Sequence, residues 1–282
     1  MSVTNQTETR NERNWAVVTG ASSGIGREFA LQLAQLGHSV LLVARRLPEL
    51  ERVAAEIASR GGRAEVLVAD LVTPGGVDSV IRRASNLGEV ELLVNNAGFG
   101  NYGPFLSQPI ARELDEIALN IGALVALTRA LLPPMVARGR GQIINVASVL
   151  SFMPTPYLAT YGATKAFVLN FSEALADELR GSGVRVLAAC PGPARTEFAR
   201  VAGSEVAWEN LPALAPEAVA RVSVAAARSR RSVRVVGLLW ALLAFIVRIT
   251  PRFAMRRIMG RVLRPSVKPS RSKRLPASPG PK

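Results

Sequence analysis

The chain has 282 residues, 49% of them apolar, enough for one large α/β domain with appendages. A single cysteine, Cys190, and a single histidine, His38, exclude a disulfide framework, a multi-cysteine metal site, and any zinc site or triad that does not rest on that one imidazole. The net charge of +14 sits at one end: residues 1–217 carry 19 basic and 21 acidic side chains, residues 218–282 carry 16 basic and none acidic, so it describes a tail and not a nucleic-acid-binding body.

Residues 1–13 are polar, lack the apolar run of a signal peptide, and are expected to form a disordered arm. Trp15–Thr19 reads as a buried strand, followed by a glycine-rich turn and a helix over Glu28–Leu36. His38 lies in a Gly-His-Ser link and reads as structural. Val40–Val43, Glu65–Ala69, Leu92–Val94, Gln142–Val146 and Val184–Ala189 read as further strands. Between them come helices over Leu47–Arg60, Pro74–Leu87, Ile110–Val136 and Tyr157–Arg180, with Pro133-Pro134 expected to kink or end the third of these. Pro216–Arg228 reads as a helix and Ser232–Val236 as a last short strand. Continuous apolar strands alternating with helices imply a doubly wound parallel sheet, Rossmann-like and three-layered, over residues 14–236. A helical extension follows over 237–264, and a Pro/Ser-rich basic tail over 265–282 that is expected to be disordered.

The first strand runs into Gly20-Ala21-Ser22-Ser23-Gly24-Ile25-Gly26. A diphosphate must approach backbone N–H groups at a helix N-terminus, where side chains would block it, so a glycine-rich turn here is the expected cofactor cradle. After the second strand the chain reads Val43-Ala44-Arg45-Arg46, with no acidic residue until Glu49. An acid there would bind a ribose 2′-hydroxyl, whereas a guanidinium matches a 2′-phosphate with paired hydrogen bonds. NADP(H) is therefore expected over NAD(H), with Arg45 as the first contact and Arg46 in support.

Reducing a ketone puts negative charge on oxygen, so the site needs a proton donor and a polarising hydrogen bond. Tyr161 and Lys165 stand four apart on an expected helix and share one face. An ammonium held nearby, together with the positive charge of the oxidised nicotinamide, favours the phenolate, so the Tyr161 pKa is expected to fall from its ordinary value of about 10. Ser148 closes the fifth strand, where strand ends face the ligand crevice. No metal is called for.

The turn at Gly20–Gly26, Asn95-Asn96-Ala97-Gly98, and Ser148 with Tyr161 and Lys165 together resemble the classical short-chain dehydrogenase/reductases over about residues 14–200. The resemblance implies that Asp70 and Leu71 contact adenine, that Asn96 lies over the adenosine ribose, and that Ala97 and Gly98 also bind the cofactor. It implies that Asn120 anchors a water-linked proton relay to Lys165, which with Tyr161 also touches the cofactor. Pro191, Gly192 and Thr196 match the loop that fixes the nicotinamide carboxamide, although Ala194 stands where a larger β-branched residue is usual. Tyr157 has no lysine four positions on and is expected to line the substrate pocket.

Val235–Val247 is an uncharged run of thirteen residues, too short for the ~20 that span a bilayer. In Arg252–Arg264, Met255, Ile258, Met259 and Val262 share a helical face away from Arg256, Arg257, Arg261 and Arg264. The extension is expected to serve as a substrate lid or subunit interface, as a contact with anionic membrane through residues 230–264, or as both. The expected function is NADP(H)-dependent interconversion of a lipophilic ketone or aldehyde with its alcohol. The alternative is a catalytically silent NADP-binding sensor or scaffold docked on a membrane. A homo-oligomer in the cytoplasm or at the inner membrane face, acting on a small molecule and not on nucleic acid, completes the expectation.

Overall fold

Runs of β-branched and leucine side chains bounded by glycine and proline bury their backbone, whose polar groups must then pair. In the computed structural model, which describes residues 14–204, 211–229 and 231–265, they pair into one sheet. Its strands are β1 (Asn14–Thr19), β2 (Ser39–Ala44), β3 (Ala64–Val68), β4 (Glu89–Asn95), β5 (Gly141–Val146), β6 (Val184–Pro191) and β7 (Val233–Val236). All pairings are parallel, in the order β3-β2-β1-β4-β5-β6-β7. The expected arm at 1–13 and tail from 266 onward lie outside the described residues.

Side chains alternate across each strand, so both faces of the sheet are apolar. Along β1, Ala16 and Val18 join one cluster and Trp15 and Val17 the other. The first cluster is covered by α1 (Gly24–Gln35), α2 (Leu47–Ser59) and α7 (Pro216–Ala227), through Phe29, Leu33, Leu50, Ile57 and Val224. The second is covered mainly by α3 (Pro74–Ser85) and α4 (Ile110–Ala137), through Val77, Val80, Leu127, Leu131 and Met135. α5 (Ala159–Glu178) lies beside α4 and packs Val168 and Leu169 against Ala188 and Cys190 of β6. Each such buried side chain contributes about 1.5–3 kcal/mol, so this two-sided core dominates the stabilisation.

Two expectations are corrected. Pro133 and Pro134 do not end α4, which runs to Ala137; the irregularity is instead a π-turn over Ala118–Ala123. Each proline removes one N–H, and both sit near the helix end, where Arg138, Gly139 and Arg140 N–H groups bond back to Pro134, Val136 and Met135. The buried Leu131 and Met135 hold that last stretch on the sheet. Tyr157 is not helical: its φ of 67° is left-handed, and α5 starts at Ala159.

The thirteen-residue apolar run splits in two. Val235 and Val236 end β7, Gly237 turns at φ 93°, and α8 (Leu238–Ile249) takes the rest. After Pro251 comes α9 (Arg252–Val262). α8 buries Trp240 and Ala244 but leaves Leu238, Leu242, Phe245 and Ile249 exposed. Strand order reverses direction beside β1, between β1 and β4, and the crevice past the strand ends there is the place for a ligand.

Candidate active site

The motifs come together because each lies at the C-terminal end of a strand. Gly20 follows β1, Arg45 follows β2, Asp70 β3, Asn96 β4 and Ser148 β5, while Pro191 ends β6. His38, by contrast, precedes β2, at the opposite end of the strands. The strand-end residues line one cleft of about 430 Å³, together with Ser22, Ser23, Gly24, Ile25, Gly26, Arg46, Leu71, Ala97, Gly98, Tyr161, Lys165, Gly192 and Thr196. Asn120 is not on the cleft wall; it is buried behind it.

The glycine turn is a tight cradle. A Cβ on Gly26 would stand 2.1 Å from the Gly20 carbonyl oxygen, and Gly20 itself sits at φ +67°. The turn is tied to the loop after β4, since Asn96 Nδ2 donates to the Thr19 carbonyl at 2.9 Å. Thr19 Oγ1 accepts from Asn96 N and Ala97 N, each at 3.0 Å. Thr19 was not singled out in the sequence; a threonine closing the first strand was its only signal.

At the β2 end the two arginines differ. Arg46 Nη2 donates to Ser23 Oγ at 2.9 Å, to Ser22 Oγ at 3.3 Å and to Glu197 Oε2 at 2.8 Å. That bond to Arg46 holds the Glu197 carboxyl below the usual carboxylate range. Arg45 lines the cleft and is exposed. Glu197 was also unanticipated, because its partner is far away in sequence.

At the other end, Ser148 caps a short 3₁₀ turn and its Oγ accepts from Leu150 N at 3.1 Å. Ser148 also acts on the Tyr161 hydroxyl, pulling it toward its charged form. Tyr161 packs on Phe198, in α6 (Phe198–Ala202), with ring centroids 5.0 Å apart. Lys165 Nζ donates to the Val146 carbonyl at 2.7 Å and lies 5.8 Å from the Tyr161 ring centroid. A Cβ on Gly98 would meet Asn120 Oδ1 at 2.8 Å and Lys165 Nζ at 3.4 Å, so both side chains abut this glycine. Asn120 Nδ2 donates to Phe99 O at 2.9 Å and to Thr164 Oγ1 at 3.0 Å, while Oδ1 accepts from Phe99 N.

In the protein alone Tyr161 is pushed up from its ordinary value: burial outweighs the pull of Ser148 toward the charged form, and Glu116 adds to the rise. Lys165 is itself pushed down to about 8 by burial, against the pull of Glu116. Spacing shows that Tyr161 and Lys165 share a face, but it does not show how dry that face is.

Trp240 was a further surprise. A Cβ on Gly192 would stand 2.5 Å from three atoms of its ring, so α8 presses directly on the loop after β6. Around Tyr161, Leu150, Leu158 and Leu263 form a buried apolar cluster edged by Tyr102, Tyr157, Phe198 and Met259. Tyr102 OH donates to the Leu263 carbonyl at 3.0 Å, tying the end of α9 to this wall.

The cradle, the two arginines and the polar end of the cleft fit a dinucleotide laid across the strand ends, with Tyr161 and Ser148 beside its reactive ring. The chain is similar to several known proteins. A very-long-chain 3-oxoacyl-CoA reductase of Laccaria bicolor is 42% identical over 176 residues, covering 61% of this chain and 52% of its own length. A short chain dehydrogenase of Pseudocercospora fijiensis is 38% identical over 188 residues, 65% of this chain and 60% of that protein. The chain thus spans between half and three fifths of these curated relatives. A solved short-chain dehydrogenase from Sphingobium yanoikuyae, in complex with NADPH, superposes with a TM-score of 0.76 at 32% identity, covering 92% of this chain and 98% of that one. The short chain dehydrogenase family profile matches residues 14–207, a span that takes in every strand from β1 to β6, and the chain belongs to that family.

Proposed function

We propose that the chain is an NADP(H)-dependent oxidoreductase that interconverts a lipophilic ketone or aldehyde with its alcohol, using Tyr161 as acid/base. The observation that carries this reading is the meeting of Ser148, Tyr161 and Lys165 at one end of a cleft whose other end holds a glycine cradle and two arginines. Arg45 and Arg46 would bind the 2′-phosphate, and Asp70, Leu71 and Asn96 the adenosine. Pro191, Gly192 and Thr196 would hold the carboxamide. The bound dinucleotide supplies the hydride. The Ser148 and Tyr161 hydroxyls bond the substrate oxygen and polarise the carbonyl. As negative charge builds there, Tyr161 gives up its proton, and a phenol held protonated by burial suits that reductive direction. Lys165 stabilises the phenolate left behind, and Asn120 keeps α4 and α5 in register through Thr164.

Leu150 and Phe198 line the cleft beside Tyr161, backed by the apolar cluster of Leu158, Tyr102, Tyr157, Met259 and Leu263, and these surroundings favour a lipophilic substrate. The 3-oxoacyl-CoA relatives support the same choice. Residues 231–265 serve both as pocket wall and as a peripheral contact with anionic membrane. Their inner side carries Trp240, Met255 and Leu263, and their outer side exposes Leu238, Phe245, Ile249, Phe253 and Val262 among arginines. Such contact predicts that the full chain floats with anionic vesicles and that replacing Phe245, Ile249 and Phe253 by serine abolishes flotation; co-flotation of the variant would end the membrane reading. Subunits of a homo-oligomer are expected to assemble around this core.

The deciding experiment is NADPH oxidation against long-chain 3-oxoacyl thioesters, steroid ketones and bulky aromatic ketones beside small polar ones. Turnover confined to the apolar carbonyls is expected. NADPH binding without turnover of any of them would favour the silent sensor.

A further inference from the structure

Glu116 is a fully buried carboxyl that the chemistry above does not use. It sits on α4 one turn before Asn120, where the α-helical segment gives way to the π-turn. On either side of it α4 is tied to α5. Glu113 accepts from Thr160 Oγ1, and Asn120 donates to Thr164 Oγ1 at 3.0 Å. Thr160 and Thr164 directly precede Tyr161 and Lys165, so Glu116 lies between two ties to the stretch that carries the reacting pair. Glu116 Oε2 accepts from Asn101 Nδ2 at 2.7 Å. Oε1 is buried and has no hydrogen-bond partner among the described residues. A packing role alone would leave such an oxygen unexplained, since an apolar side chain would fill the space without it.

Among the described residues, few charged groups face Glu116. Glu113 stands on its own helix and Lys165 on α5, with the titratable Tyr161 beside it. Arg112 is turned to Asn101, to the Val201 carbonyl and over the Phe99 ring. Burial, and then Glu113, push the Glu116 carboxyl up to about 8, against Asn101 and Lys165. The influence is mutual: Glu116 opposes the burial that would strip Lys165 of its proton, and it raises Tyr161.

We propose that Glu116 is a positioning residue of the proton-transfer site: its buried, half-partnered carboxyl, set between the two ties to α5, keeps Lys165 charged and Tyr161 protonated and so extends reduction to higher pH. This rests on Tyr161 as the acid. Below the ionisation of Glu116 the carboxyl is neutral and does little. Above it, a carboxylate faces the pair and makes both harder to deprotonate.

The test is the pH profile of kcat for NADPH-dependent ketone reduction by the full chain, in wild type, Glu116→Gln and Glu116→Met. Both variants should move the alkaline limb down by about one pH unit and leave the acid limb in place. Glu116→Asp should restore part of the shift. Tyrosine phenolate absorbance, read against Tyr161→Phe in a chain with three tyrosines, should show Tyr161 ionising at lower pH in Glu116→Gln. If Glu116 only holds Asn101, the variants will lose activity evenly at every pH with an unmoved limb, and the proposal is overturned. Full activity in Tyr161→Phe would instead sink the acid/base assignment itself, so the two failures are distinct.

Discussion

Gly192→Ala is a small change with a calculable effect. The added Cβ would stand 2.5 Å from three atoms of the Trp240 ring, so the ring must retreat by about 1 Å to reach ordinary contact. Trp240 is only 9% exposed and, with Ala244, anchors α8, so the ring cannot retreat without lifting the helix. Overpacking of this kind costs about 1–3 kcal/mol. Because Gly192 also lines the cleft, NADPH affinity should fall by about tenfold. Trp240→Ala, which leaves a void, should cost about 3–5 kcal/mol. In that background the three nearest atoms are gone, so the double variant should be about as stable as Trp240→Ala alone. The four proteins form a cycle with a predicted coupling of about 1–3 kcal/mol, measured by denaturant unfolding and by NADPH titration. Additive losses would refute the claim that α8 braces the cofactor loop.

Arg46→Asp and Arg45→Asp should each weaken NADPH by ~10-fold or more, since a hydrogen bond to a charged group is worth about 1.5–3 kcal/mol, and should leave NADH nearly untouched. Equal losses for both cofactors would count against the 2′-phosphate assignment. Stability should also depend on pH through the buried pair. Glu116 is raised from 4.5 to about 8, so the folded chain holds a proton that the unfolded chain loses, and stability falls as pH rises across that window. Lys165 is lowered from 10.5 to about 8, so the unfolded chain binds the extra proton above pH 8 and stability recovers. Glu116→Gln should flatten the fall between pH 5 and 8, by an amount on the order of a few kcal/mol. Melting curves at pH 5, 8 and 10 check it, and parallel pH dependence in variant and wild type would contradict it.

The strands and the glycine turn were legible because they are local: buried β-branched runs and a side-chain-free helix start are written in consecutive residues. The clustering of Gly20, Arg45, Asp70, Asn96, Ser148 and Pro191 followed from one topological rule about strand ends. What escaped depended on distant partners. Glu116 looks like one more charge on an amphipathic helix until α5 covers it, and Glu197 meets Arg46 only across the folded crevice. Trp240 looked like part of an apolar run, and only the fold sets it against Gly192. Nor was the burial that raises Tyr161 in the protein alone legible, since a four-residue spacing reports a shared face but not its dryness. Pro133 and Pro134 misled because local propensity was outweighed by the burial of Leu131 and Met135.

The central claim is that Tyr161 delivers the proton in an NADP(H)-dependent reduction. Its most direct test is Tyr161→Phe, assayed for NADPH affinity and for oxidation of NADPH with an accepted ketone. Removing one hydroxyl from a buried ring that packs on Phe198 should leave the fold and NADPH binding largely intact. Turnover should drop by at least ~100-fold, the low end of what a positioned general acid contributes. Turnover close to wild type, with binding unchanged, would contradict the account.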